Sequence, residues 1–250
     1  AIATILSQTV ALVWQIRLFS DKGELLHLKR GIYRLDNIIV KNILGIGISP
    51  FAMNATACLV AIFVNQRLLE YGGDLAVGAF GIANRVAFIF IMINFGVNQG
   101  MQPIAGYNYG AQNYDRLMRV LKLAMIAGTC ITTSGFLVAE FIPHICVRLF
   151  TSDSELTELS VNGLRIMMAA MPIVGYQMIV TNFFQSIGKA KISIFLSLSR
   201  QLLFLVPLIG VMPLFFGVNG VWVAMPISDS FSAIFALVMM VRYMRVFKKR

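Results

Sequence analysis

The chain has 250 residues, of which 58% are hydrophobic and only 13% are charged, and its mean hydropathy is +0.78. A soluble domain carries roughly a quarter charged residues because its surface must be polar, so this composition excludes an ordinary soluble protein. The net charge of +10 does not indicate a nucleic-acid partner, because the basic residues lie in short segments between apolar blocks. The sequence therefore predicts an all-α integral membrane protein whose main partner is the lipid bilayer.

The first 41 residues precede the long apolar blocks. Residues 1–19 are mostly apolar, with Arg17 as the one charged residue, and the chain opens on Ala1, so we expect a fragment that starts at the end of a preceding transmembrane helix. Residues 20–41 mix basic residues with Leu and Ile, which predicts a cytoplasmic linker. An interfacial helix with its cations near anionic lipid and a solvated connector both fit this pattern.

Six apolar blocks follow, each long enough for the roughly 20 helical residues that cross a bilayer. They are residues 42–66, 75–106, 117–147, 159–186, 192–216 and 218–241. The pattern predicts a bundle of six transmembrane helices over residues 42–246 and a basic cytoplasmic tail over residues 247–250. Prolines inside these blocks predict helix bends, because proline removes a backbone hydrogen bond. These prolines are Pro50, Pro172, Pro207 and Pro226.

The basic residues are distributed unevenly between the two sides of the predicted membrane. If the segment after Phe19 is cytoplasmic, the cytoplasmic side holds 16 of the 21 Lys and Arg residues, and the other side holds Arg67 and Arg148. Cytoplasmic loops carry such an excess. We therefore predict a multi-pass protein of the inner (plasma) membrane with a cytoplasmic C-terminus.

Four charged side chains fall well inside the predicted spans: Arg85, Arg165, Arg200 and Asp229. A charge at the centre of a span costs about 2.5–3.5 kcal/mol, so it usually faces the interior of the bundle. For Asp229 two interpretations remain open, an ion pair that locks helices together or a relay for protons or cations. Arg165 and Arg200 are candidates for structural pairing, whereas Arg85 is also a candidate for transport.

Uncharged polar residues in the spans are further candidates for contact with a transported substrate. They include Asn54, Gln177 and Asn182. Amide side chains can coordinate a substrate, but they also hydrogen-bond helices to one another. The three cysteines and two histidines lack metal-ligand spacing, and no nucleotide loop or catalytic grouping occurs, so we predict neither a metal site nor an enzyme.

Several short motifs, each present once, follow one another along the chain. They are GIGISPF (residues 45–51), GMQP (100–103), GYNYGA (106–111), QSIG (185–188), SLSRQ (197–201) and GVWVAMP (220–226). Together these segments resemble the C-terminal six-helix lobe of the MATE (multidrug and toxic compound extrusion) transporter family. The resemblance extends over nearly the whole chain, and GMQP with GYNYGA is its most specific part.

The resemblance implies one lobe of a twelve-helix transporter whose N-terminal lobe is missing here. It implies an antiporter that exports drug-like small organic cations in exchange for Na⁺ or H⁺ and needs no other cofactor. Some relatives carry acidic residues in helices 7 and 10, but this chain has none in the cores of those helices, which leaves Asp229 as the candidate for coupling. An alternative is a related flippase for lipid-linked saccharides, whose anionic cargo needs several cavity-facing cations. Arg85 and Arg200 keep this alternative open.

Overall fold

The structure, a computed structural model, describes residues 2–20, residue 23 and residues 36–247. Its contacts divide the chain into two units, residues 1–48 and residues 49–250. The first unit contains α1 (Ile2–Ser20), an apolar helix in which Arg17 is the one charged residue. Most of the segment 20–41, for which an interfacial helix was considered, and most of the basic tail predicted for residues 247–250 lie outside the described residues.

The remaining elements are helices joined by short turns. They are α2 (Asn37–Gly110), α3 (Tyr114–Phe141), α4 (Pro143–Arg148), α5 (Ser154–Met168), α6 (Met171–Ser186), α7 (Ala190–Leu198), a π-helical segment (Ser199–Leu205), α8 (Val206–Phe216) and α9 (Val218–Phe247). Four stretches within the described residues are long and apolar enough to cross a membrane: 54–110, 114–141, 190–216 and 218–244. The pair formed by α5 and α6 is a fifth when it is taken as one bent span.

Gly73 divides the longest of these stretches into two spans. Residues 54–110 are 57 residues long, whereas about 20 suffice for one crossing. Gly73 adopts φ 65° and ψ −165°, a conformation that is open to glycine but strained for other residues. Val64 and Leu68 before the break and Ala76 after it are buried in one hydrophobic cluster. With this break counted, the prediction of a six-helix membrane bundle is confirmed.

Regular helical geometry is interrupted at three places, each next to a proline. Pro143 begins α4, so the predicted block 117–147 is two helices and not one. Pro172 lies in the first turn of α6, and the axes of α5 and α6 meet at 51° across the break that precedes it. Pro207 follows the π-helical segment, where Val206 donates its N–H to the carbonyl of Gln201, five residues earlier. In contrast, α9 continues through Pro226 as one helix.

Two further hydrophobic clusters hold the two ends of the bundle. One joins Val86 of α2, Leu164 and Met168 of α5, and Trp222 of α9, which is 1% exposed. The other joins the C-terminal end of α2 to the first turns of α3, the last turns of α6 and the second half of α9. Its largest fully buried members are Leu117, Leu121, Ile179, Phe183, Phe184 and Leu196.

The close packing of α3 against α6 depends on glycine. A Cβ atom built on Gly175 would lie 2.5 Å from the carbonyl oxygen of Gly128 and would overlap Thr132 Oγ1. Small residues allow helix backbones to approach closely in membranes, where van der Waals packing drives helix association. This contact therefore fixes α6, which carries Gln177 and Asn182, against α3.

Candidate functional site

Asp229 and Arg200 form an ion pair between α9 and the π-helical segment. The Arg200 Nε atom lies 2.6 Å from Asp229 Oδ1. The Asp229 side chain is 11% exposed and that of Arg200 is 34% exposed. Pairing neutralises both charges inside the apolar bundle, which lowers the cost of placing either one there.

A second contact ties the same two elements together. Ser228 Oγ donates a hydrogen bond of 2.8 Å to the carbonyl oxygen of Arg200. Backbone groups in a membrane span need internal partners, and the irregular hydrogen bonding of a π-helical segment leaves carbonyls open to such side chains. Arg200 is thus held through its guanidinium group by Asp229 and through its backbone by Ser228.

The polar contacts continue one turn further along α9 toward α6. Gln177 Nε2 donates a hydrogen bond to Ser232 Oγ. Ser228, Asp229 and Ser232 are all buried and, at helical spacing, they share one side of α9. We call these three residues the α9 polar strip. Gln177 Oε1 is buried and has no hydrogen-bond partner among the described residues, so this side chain retains an unused acceptor.

The other sequence-predicted residues lie apart from the α9 polar strip. Asn182 is half-buried, and its Nδ2 donates a 2.9 Å hydrogen bond to the carbonyl oxygen of Met178 on the same helix. Asn54 is exposed on the first part of α2. Arg85 is exposed on the second part of α2 and makes no ion pair or hydrogen bond within the part of the chain that the structure describes.

Arg165 contacts Glu140 at the far end of α3. Its Nη2 donates a 3.1 Å hydrogen bond to the Glu140 carbonyl oxygen, and its Nε lies 4.0 Å from Glu140 Oε1. Both side chains are 46% exposed, so solvent weakens the ionic part of this contact. This contact between Arg165 and Glu140 joins α5 to α3.

Sequence reasoning missed the partners of the predicted residues. Ser228 and Ser232 flank Asp229 at spacings that place them on one side of a helix, and this periodicity is the signal that could have identified the α9 polar strip. No comparable periodicity identifies Glu140 as the partner of Arg165, because the two residues are 25 positions apart on different helices. Within residues 2–20, 23 and 36–247, no group of three or more His, Cys, Asp or Glu side chains could hold a metal ion.

Comparisons with known proteins agree with this architecture. The MatE family model matches residues 46–209. Multidrug export protein MepA of Staphylococcus aureus (strain N315) is 24% identical over 237 residues, which cover 95% of this chain and 52% of MepA. The structure of a ligand complex of the MATE multidrug transporter DinF-BH is 34% identical with a TM-score of 0.84, and it covers 98% of this chain and 55% of DinF-BH.

A further structure, of MATE in complex with MaL6, has a TM-score of 0.87 at 20% identity and covers 99% of this chain and 56% of that protein. At this identity the likeness shows the fold alone. The chain spans about half the length of the curated relatives that it matches.

Proposed function

Because the chain belongs to the MatE family, we propose that it forms the C-terminal half of a cation-coupled antiporter that exports drug-like organic cations. The coupling ion in this proposal is Na⁺ or H⁺, and an N-terminal lobe supplies the other side of the transport pathway. MepA is a multidrug export protein and DinF-BH is a multidrug transporter, and both support a drug-like substrate class. The proposal places the protein in the plasma membrane with its C-terminus in the cytoplasm, following the distribution of its basic residues.

The ion pair between Arg200 and Asp229 is the observation that supports coupling most directly. A carboxylate whose only charged contact in the described structure is one arginine can exchange that arginine for a proton or a small cation. Such an exchange would release the Arg200 side chain from α9. Since Ser228 holds the Arg200 backbone, a change at Asp229 is transmitted to the π-helical segment, which is the irregular part of its span.

The remaining candidates take separate roles in this proposal. The side chains of Asn54 and Arg85 are exposed on the surface of the helix bundle, and we assign them to the part of that surface that faces the substrate pathway. Gln177 joins α6 to the α9 polar strip through Ser232, and its buried Oε1 has no hydrogen-bond partner among the described residues. Asn182 is bonded to its own helix, and Arg165 is bonded to Glu140, so Arg165 is assigned a structural role.

The pairing of the arginines weighs against the alternative, a flippase for lipid-linked saccharides. An anionic cargo of that size needs several unpaired cations along its path. Of the three arginines well inside the predicted spans, Arg200 is paired with Asp229 and Arg165 with Glu140, which leaves Arg85. One exposed arginine fits a pathway for organic cations better than a pathway for a large anion.

Transport of ethidium, a fluorescent organic cation, by the full-length protein in proteoliposomes tests this proposal. We expect ethidium to be transported when a Na⁺ or an H⁺ gradient is imposed alone, and the effective gradient identifies the coupling ion. Liposomes that hold the protein with no gradient are the control for leakage. Folded protein that moves ethidium under neither gradient, but moves a lipid-linked saccharide, would replace the antiporter by the flippase.

A further inference from the structure

The outer side of α3 carries its positive charges and its exposed apolar residues in one continuous stripe. Arg116, Arg119 and Lys122 are exposed at successive spacings of three residues, and Leu123 (60% exposed) and Ile126 (54% exposed) continue the same side. Leu117, Leu121 and Ala124 on the opposite side are buried in the bundle. The helix therefore presents one whole face to its surroundings.

The lengths of the two parts of this face match the layers of a bilayer. From Leu123 to Phe141, which is 77% exposed, the helix rises about 27 Å, close to the thickness of the hydrocarbon layer of roughly 30 Å. Between Arg116 and Lys122 it rises about 9 Å. With the apolar part in contact with acyl chains, the three cations lie at the level of the lipid headgroups.

The charges around this face favour an anionic partner. Asp115 is the acidic residue of the same turn, which leaves residues 115–122 with a net charge of +2. Lys189 and Lys191, both exposed, lie at the same end of the bundle, because Ile187 and Leu196 beside them pack in the same cluster as Leu117. One Arg guanidinium group can donate two parallel hydrogen bonds to a phosphate group, whereas a Lys ammonium group binds phosphate as a point charge.

We propose that Arg116, Arg119 and Lys122 bind the headgroup phosphate of an anionic phospholipid whose acyl chains lie along Leu123 and Ile126. The partner is a lipid and not a soluble anion, because the cations run directly into exposed apolar surface on the same helix face. Each basic residue near a membrane surface strengthens anionic lipid binding by roughly fivefold. This surface does not depend on which substrate or coupling ion the transporter uses.

Native mass spectrometry of the purified full-length protein with added phosphatidylglycerol or phosphatidylcholine tests this site. We expect Arg119→Gln to weaken phosphatidylglycerol binding about fivefold, and Arg116→Gln/Arg119→Gln/Lys122→Gln, which removes three such contributions, to weaken it roughly 100-fold. Binding of phosphatidylcholine should stay unchanged, because its headgroup has no net charge. The charge-conserving Arg116→Lys/Arg119→Lys variant should keep most of the phosphatidylglycerol affinity.

Arg148→Gln is the matched control, since it removes an exposed arginine from the opposite end of the bundle and should leave phosphatidylglycerol binding unchanged. Three results would overturn the proposal. The first is unchanged phosphatidylglycerol affinity in both glutamine variants. The second is an equal loss of both lipids. The third is displacement of the lipid by equimolar inorganic phosphate, which would show a site for a soluble anion.

Discussion

Replacing Asp229 by asparagine should destabilise the folded chain by about 2 to 3 kcal/mol. The substitution leaves the half-buried Arg200 without its counter-charge, and removing one partner of a fully buried pair typically costs about 3 to 5 kcal/mol. The Arg200 side chain is 34% exposed and solvent screens its charge, so we place the effect at or below the lower limit of that range. The thermal unfolding midpoint in detergent, followed by tryptophan fluorescence, measures the loss, because Trp222 is buried in the folded chain whereas Trp14 is already exposed.

The double variant Arg200→Gln/Asp229→Asn is the control for this prediction. It removes both charges and leaves two amides that can hydrogen-bond to each other, so it should recover at least half of the lost stability. Equal losses in the single and double variants would show that the ion pair contributes nothing specific. In that case the two residues would be neighbours and not partners.

Replacing Gly175 by alanine should destabilise the chain by a similar amount, about 2 to 3 kcal/mol. The new methyl group would lie 2.5 Å from the carbonyl oxygen of Gly128, and a backbone atom cannot turn aside as the end of a flexible side chain can. To relieve the overlap, α3 and α6 must move apart, which loosens the packing that positions Gln177. The same fluorescence melting experiment measures this effect.

Gly210→Ala is a matched control, because it makes the same chemical change inside another helix. A Cβ atom on Gly210 meets no heavy atom within 4 Å, so alanine should be neutral or stabilise α8 by up to about 1 kcal/mol. If both variants melt at the same temperature, the contact between α3 and α6 is looser than the structure indicates.

Hydropathy and proline positions predicted most of this fold. A helix inside a membrane must satisfy its own backbone, so a run of about 20 apolar residues leaves few alternatives to a transmembrane helix. Pro172 predicted the bend at the start of α6 for the same local reason. The extra break at Pro143 was missed, because the apolar run continues through it and hydropathy alone does not register a short interruption.

The candidate site was harder to predict because its contacts join distant parts of the chain. Asp229 was identified from its own position in an apolar span. Its pairing with Arg200, 29 positions earlier, depends on the π-helical segment turning that arginine toward α9. Pro207 marks a disturbed helix at this point, but the direction in which the neighbouring side chains turn is set by packing.

Transport by the full-length protein carrying Arg200→Gln/Asp229→Asn tests the coupling role of this pair most directly. The double variant separates folding from coupling, because it removes the charge of Asp229 without leaving Arg200 unpaired. We predict that it folds and still binds ethidium, but that an imposed Na⁺ or H⁺ gradient no longer drives ethidium transport in proteoliposomes. Gradient-driven transport at the wild-type rate would contradict the account and would restrict the Arg200–Asp229 pair to a structural role.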